Sequence, residues 1–149
     1  MPHLIKILIV MPLFYFILGH KFSKLWRYGL AGVGIMLAAD YTGFRLNFYH
    51  YQNGFITMGG WMPVPHIINV FIDSMFYVNW LPKQWGRRFW YTVCFSVVSL
   101  FVEAIVYSAG GIVYHNWKLW HSYFLSLGGL SLLAYISDFL SLKQSDTIS

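Results

Sequence analysis

Charged residues are scarce in this sequence. Lysine and arginine number 10 and aspartate and glutamate 5, so charged residues make up 10% of the 149, whereas 58% are hydrophobic and the mean hydropathy is +0.55. A soluble domain carries about 25% charged residues. So few charges cannot solvate the surface of such an apolar globule, and the surface must therefore face lipid. The length suits a single transmembrane domain over residues 1–149.

Cysteine and catalytic motifs are scarce as well. The one cysteine, Cys94, excludes an internal disulfide and a cysteine-based metal knuckle. The sequence contains no phosphate-binding glycine loop, no nucleophile elbow, no HExxH and no dinucleotide fingerprint. We therefore expect no cofactor, and an enzyme that acts on lipid ranks last among the functions considered.

The sequence instead contains five long apolar segments. A helix needs about 20 mostly apolar residues to cross the hydrocarbon core of a bilayer. The segments are 3–19, 28–44, 63–82, 89–113 and 120–141. They predict an all-α integral membrane protein, a bundle of five transmembrane helices. The count falls to four if the first segment, which contains Pro12 and relies on Lys6 snorkelling to the surface, does not span.

Basic residues alternate between the connections that join these segments. One set holds Lys21, Lys24, Arg27, Lys83, Arg87, Arg88 and Lys143, and the alternate set holds Lys6, Arg45 and Lys118. Because cytoplasmic connections carry the excess of lysine and arginine, this pattern predicts an outer N-terminus and a cytoplasmic C-terminus. Short basic clusters between apolar segments are a topology signal, so we expect no nucleic-acid partner despite the pI of about 9.4.

The outer connection over residues 45–61 is not a plain loop. Its aromatic and polar residues partly alternate, and Asn53-Gly54 is a pair favoured in tight hairpin turns. The pattern leaves two alternatives open, a short hairpin on the outer membrane surface and an irregular interfacial loop.

Two of the segments carry a one-sided polar stripe with an acid at its centre. On the third segment Asp73 shares a face with His66, Asn69 and Tyr77 at helical spacing. On the fourth segment the same projection places Ser96, Ser99 and Tyr107 on the face of Glu103. Lipid offers no hydrogen-bond partner, so each stripe must face protein or enclosed water. We expect the two stripes to face each other.

Four of the five acids fall inside predicted membrane segments. Besides Asp73 and Glu103, these are Asp40 near the outer end of the second segment and Asp138 near the cytoplasmic end of the fifth. No lysine or arginine is expected at comparable depth. Inserting a central charge costs about 2.5–3.5 kcal/mol, whereas an interhelical hydrogen bond returns about 1 kcal/mol. This imbalance favours a functional role for the acids, and the alternative is a purely structural set of hydrogen bonds between helices.

Histidines concentrate toward the predicted outer side. They are His3, His50, His66, His115 and His121, with His20 on the cytoplasmic side. No two of them have the i, i+3 or i, i+4 spacing of a helical metal site, so the sequence predicts no metal centre.

The stretches "HYQNGFITMGGWMPVPHIINVFIDSMFY" and "FVEAIVYSAGGIVYHNWKLWHSYF" resemble a family of small multi-pass membrane proteins of Bacillus- and Clostridium-type spore-forming bacteria that has no assigned function. The matching positions are Pro63, Pro65, Asp73, Glu103, Tyr114, Trp117 and Ser122. The resemblance covers roughly the C-terminal two-thirds of the chain. It implies a location in the bacterial cytoplasmic membrane.

Two functions follow as hypotheses. The first is binding or transport of protons, a cation or a small polar solute by the carboxylate, histidine and tyrosine side chains inside the bundle. The second is a non-catalytic subunit of a larger membrane complex, in which the same acids contact a partner helix. The expected partners are the lipid bilayer and either further copies of the chain or another membrane protein.

Overall fold

The described part of the chain contains five α-helices. The computed structural model describes residues 2–52 and 56–146, with side chains over 5–52 and 56–141. The helices are α1 (Pro2–Leu18), α2 (Phe22–Arg45), α3 (Val64–Asn79), α4 (Trp85–Ser108) and α5 (Leu119–Asp146). Each overlaps one of the predicted segments, which confirms the helical prediction. A 3-10 helix (Gly19–Lys21) joins α1 to α2.

Four short strands form two small sheets. They are β1 (Tyr49–Tyr51), β2 (Thr57–Met58), β3 (Met62–Pro63) and β4 (Ile112–Tyr114). β2 pairs with β3 across a turn in which Gly59 and Gly60 adopt positive φ. β1 pairs with β4, far along the chain, with Tyr49 opposite Tyr114. Of the strands in 45–61, β1 therefore pairs with β4, and β2 forms a hairpin with β3 at the end of the segment. The Asn53-Gly54 turn lies outside the described residues.

The connections between the helices lie at two opposite ends of the bundle. Pairing of β1 with β4 holds the α2–α3 connection beside the α4–α5 connection, and we call this the sheet end. At the opposite, basic end, Lys21 Nζ donates to Asn79 Oδ1 over 3.1 Å, and Arg88 at the start of α4 contacts Asp138 of α5. Helices α2, α3, α4 and α5 thus alternate in direction between the two ends.

The packing order follows from which helices lie next to each other. α2 lies against α3 and α5, and α4 lies against α5. α1 runs back along α3 from the basic end, because Lys21 reaches the last turn of α3 while Lys6 reaches Asp73 in its middle. Leu18, Leu25 and Met75 bury one apolar cluster at this junction.

The outward surface of the helices is strongly apolar. Leu8, Phe16, Trp90, Phe101 and Phe139 are each at least 65% exposed. Among the residues with described side chains, three helical stretches are long and apolar enough to cross a membrane, namely Ile5–Arg45, Trp85–Ser108 and Leu119–Ser141. Side chains of this kind are stable on a surface that lies in lipid. The structure thus supports a membrane-associated helical protein.

Candidate functional site

A buried carboxyl group lies near the sheet end of α2. Asp40 is 6% exposed. Its Oδ1 accepts a hydrogen bond from the Tyr49 hydroxyl at 2.6 Å, and its Oδ2 accepts one from the Tyr51 hydroxyl at 3.0 Å. His66 Nε2 lies 3.4 Å from Asp40 Oδ2 and 3.1 Å from the Tyr51 hydroxyl oxygen. We call these four residues the Asp40 cluster.

The local sequence explains how the Asp40 cluster forms. Tyr49 and Tyr51 alternate along β1, so both rings point to the same face of the strand. Gly43 lets the Tyr49 ring lie directly on α2, because a Cβ at that position would sit 2.7 Å from a ring carbon. Pro63 and Pro65 flank the start of α3, where fixed φ angles favour helix entry, and they place His66 in the first turn.

A second acid at the sheet end has a similar environment. Glu103 Oε1 accepts hydrogen bonds from the Tyr114 hydroxyl and from Ser122 Oγ, each at 2.5 Å. Trp117 Nε1 donates in turn to Ser122 Oγ at 2.8 Å. The Tyr107 ring stacks on Tyr114 with centroids 4.6 Å apart. We call these five residues the Glu103 cluster.

The β1–β4 pair joins the two clusters. Tyr49 and Tyr114 are directly opposite each other in the register, and their rings meet edge to face with centroids 6.4 Å apart. β1 therefore directs two tyrosines to Asp40 of α2, and β4 directs one to Glu103 of α4. We call the two clusters together the polar layer.

Electrostatics in the polar layer keep the phenols protonated. Burial first and then the nearby Asp40 carboxyl raise the pKa of both Tyr49 and Tyr51 above the usual phenol value, and Glu103 adds to the effect. The pKa of Tyr114 is raised by burial and then by its hydrogen bond to Glu103. The three tyrosines are therefore fixed hydrogen-bond donors to the carboxyl groups.

His66 is the only basic side chain that contacts either acid of the polar layer within residues 5–52 and 56–141. The Tyr51 hydroxyl donates its hydrogen to Asp40. In its contact with His66 the Tyr51 oxygen is therefore the acceptor, and His66 Nε2 carries the hydrogen and donates it. A carboxyl, a phenol and an imidazole are thus linked so that a change of protonation at one alters the hydrogen bonding of the others. Chemically, the layer can take up or release a proton, or present oxygen ligands to a small cation.

Asp73, the centre of the predicted stripe, has a different partner. Lys6 of α1 forms an ion pair and hydrogen bond with Asp73 Oδ2. The expectation that Asp73 and Glu103 would face each other is wrong, because Glu103 is engaged by Tyr114 and Ser122 instead. The expectation that no cation reaches the depth of Asp73 is also wrong. A lysine stem of four carbons carries its ammonium group far enough from α1 to reach the acid.

Asp138 is likewise neutralised. Arg88 Nη1 and Nη2 donate to its two carboxyl oxygens at 2.6 and 3.1 Å, and Arg88 Nε donates to the Pro82 carbonyl at 3.0 Å. This bidentate pair joins α4 to α5 at the basic end, and the expectation that Asp138 lacks a cation is wrong.

The remaining predicted site residues are dispersed. Asn69 is 1% exposed on α3, and Ser99 is half-buried on α4 one turn before Glu103. Tyr77 is buried toward the basic end, where its hydroxyl lies 2.7 Å from Thr92 Oγ1. Tyr107 belongs to the Glu103 cluster only through its ring. Of the predicted set, the structure thus places His66 beside Asp40, and Tyr107 beside Glu103.

Sequence reasoning did not assign a site role to Tyr49, Tyr51, Tyr114 and Ser122. The signal available was the period-two alternation in "YHY" and the β-branched pair in "IVY", both of which are typical of strands. It gives the inward direction of the tyrosines but not their partners, which belong to other helices.

Comparison with protein families, with curated proteins and with solved structures finds no match to this chain.

Proposed function

We propose that this chain is an integral membrane protein that binds protons, or a small cation in exchange for them, in its polar layer. The observation that carries the proposal is Asp40, which is almost fully buried and whose basic partner among the described residues is a histidine instead of a lysine or an arginine. A structural ion pair would use a permanently charged partner, as Arg88 is for Asp138. An imidazole, unlike a guanidinium, can accept a proton from its neighbours or pass one to them.

In this proposal the chain crosses the bacterial cytoplasmic membrane with the sheet end outside. Lysine and arginine gather at the basic end, which favours that end as cytoplasmic. α2, α4 and α5 cross the membrane, and α3 crosses with them because it alternates in direction with its neighbours. At 16 residues α3 is about 24 Å long, and β3 extends the chain beyond its first residue. The polar layer then lies near the outer surface, open to external protons or cations.

The test is pH-difference infrared spectroscopy of the protein in lipid, with the Asp40→Asn variant. We expect the wild type to show a carboxyl C=O band that appears as the pH is lowered, and Asp40→Asn to lose that band. Adding sodium or potassium at fixed pH should reduce the band if a cation replaces the proton. The matched control is Asp138→Asn, whose acid is paired with arginine; it should leave the band unchanged. A wild-type spectrum without a titrating carboxyl band, or a band that survives in Asp40→Asn, contradicts the proposal.

A second candidate is a structural subunit of a larger membrane complex. The observation in its favour is that both clusters also tie the outer connections together, since Tyr49 and Tyr114 link β1 and β4 to α2 and α4. In that case Asp40→Asn lowers the stability of the sheet end, while neither pH nor added cations change the infrared spectrum.

A further inference from the structure

Two imidazole rings meet at the sheet end, outside the polar layer. His50 on β1 and His115 directly after β4 are 65 residues apart in sequence, yet His115 Nε2 lies 2.8 Å from His50 Nδ1. The ring centroids are 4.7 Å apart with an interplanar angle of 30°. His115 is exposed and His50 is half-buried, so this pair is open to the solution on the sheet side.

The sheet itself brings the two rings together. Because Tyr49 pairs with Tyr114, His50 and His115 are diagonal neighbours across the two strands. Side chains alternate along a strand, so the tyrosines that point to the carboxyl groups force both histidines onto the opposite face. The backbone holds this register, since His115 N donates to the Phe48 carbonyl at 2.9 Å.

The facing nitrogens suit a shared metal ion. Zinc binds imidazole nitrogen at about 2.0–2.1 Å, and two such ligands in a tetrahedral site stand about 3.3 Å apart. Opening the present separation by about 0.5 Å would admit the ion, and the exposed His115 ring can shift that far. Both facing nitrogens must present a lone pair to the metal. The hydrogen that one of them now donates to the other therefore moves to the second nitrogen of its own ring.

A neighbouring side chain supports this ligation. Gln52 Nε2 lies 3.4 Å from His50 Nε2, the ring nitrogen that would not bind the metal. A metal-bound histidine usually donates its other N–H to an acceptor that fixes the ring, and the Gln52 amide presents its oxygen there once it is turned over.

We propose that His50 and His115 bind one borderline transition-metal ion, Zn²⁺ or Cu²⁺, and that the ion bridges the α2–α3 and α4–α5 connections. No group of three or more His, Cys, Asp or Glu side chains converges among the described residues. Water or a solute therefore completes the coordination. Imidazole ligands without carboxylates favour these ions over magnesium or calcium. Because the ion binds the sheet end only when that end is folded, it stabilises the folded state by mass action.

The first experiment is a calorimetric titration of Zn²⁺ into the detergent-solubilised full chain. The chain is purified with a tag that contains no histidine. We expect a single site that is lost in His50→Ala and in His115→Ala. Loss of a direct ligand should cost at least the about 10- to 100-fold in affinity that loss of an outer-shell partner costs. The matched control is His121→Ala, a histidine of the same end whose Nδ1 accepts a backbone hydrogen bond from Lys118 N at 3.0 Å; it should bind Zn²⁺ as the wild type does. Absence of binding in the wild type, or binding that survives in the His50→Ala/His115→Ala double variant, overturns the proposal.

A second measurement needs no variant and therefore holds even if a substitution prevents folding. Cu²⁺ bound to the wild-type chain should give an electron paramagnetic resonance spectrum with coupling to two imidazole nitrogens, which changes when histidine carries ¹⁵N. A spectrum with coupling to one imidazole, or to none, rejects the shared site.

Discussion

At the scale of single residues, the protein separates its acids by the type of partner each one has. Asp73 and Asp138 face lysine and arginine, and these contacts join helices. Asp40 and Glu103 instead accept hydrogen bonds from tyrosine hydroxyls, with His66 beside Asp40. A permanently charged partner stabilises the ionised form of a carboxylate, whereas the partners of Asp40 and Glu103 among the described residues are hydroxyl groups and one histidine. This difference is why we assign function to the second pair.

The buried tyrosines predict a specific weakness toward alkali. The pKa of Tyr49 is raised in the folded state, while an unfolded tyrosine titrates near about 10. The folded state therefore holds the phenolic proton more tightly, and this stabilisation is complete below about pH 10 and declines as the pH rises above it. Tyr49→Phe should lower the free energy of unfolding by about 2 kcal/mol at neutral pH, because a hydrogen bond to a carboxylate is lost. Above about pH 10 its stability should fall less steeply than that of the wild type.

Denaturant titrations in detergent at several pH values, followed by circular dichroism, measure both effects. Tyr135→Phe is the control, since Tyr135 is 67% exposed on α5. An identical alkaline slope for the wild type and Tyr49→Phe contradicts the explanation.

At the scale of elements, glycines set the closest helix contact. A Cβ on Gly32 would lie 1.9 Å from Ser74 Oγ and 2.6 Å from Ser74 Cβ, so α2 and α3 could not keep their present distance. Gly34, two residues later, would meet nothing within 4 Å. Gly34 and Ala38, four residues apart, are both exposed. Gly29 and Gly32 carry the packing, since a Cβ on Gly29 would lie 2.6 Å from the Phe71 ring.

Matched alanine substitutions test this assignment. Gly32→Ala should destabilise the protein by about 1–3 kcal/mol through overpacking against Ser74. Gly34→Ala should be neutral or stabilise by up to about 1 kcal/mol, because alanine favours the helix over glycine. Thermal unfolding in detergent compares the two variants, and equal effects would show that close α2–α3 contact is not what Gly32 provides.

At the scale of the whole molecule, the alternation of helices makes a prediction about sidedness. Connections at the sheet end should be reached from outside the cell and those at the basic end only from inside. Cys94 is replaced by serine to give a cysteine-free background. In that background Met58→Cys and Lys118→Cys should react with an impermeant maleimide on intact cells, whereas Lys83→Cys should react only after permeabilisation. Met58 and Lys83 flank α3, so labelling of both from the same side would mean that α3 does not cross the membrane.

Long apolar runs carried most of the information on the fold. Each of the five predicted segments overlaps a helix, because hydrophobicity and helix formation over about 20 residues are local properties. The helical projection also placed Asp73 on an inward face, but a projection says nothing about which neighbour that face meets. The partner of Asp73 is Lys6 of α1, which lies 67 residues earlier in the chain.

The sequence by itself determined that this is an apolar helical protein, that its basic residues gather between alternate segments, and that several acids lie within those segments. Only the tertiary structure decided how those acids are paired. Asp40 with Tyr49 and His66, Glu103 with Tyr114 and Ser122, and His50 with His115 all depend on β1 lying beside β4. The physical reason is that strand pairing and helix order bring together residues far apart in the chain, and neither leaves a periodic signal in the sequence around them.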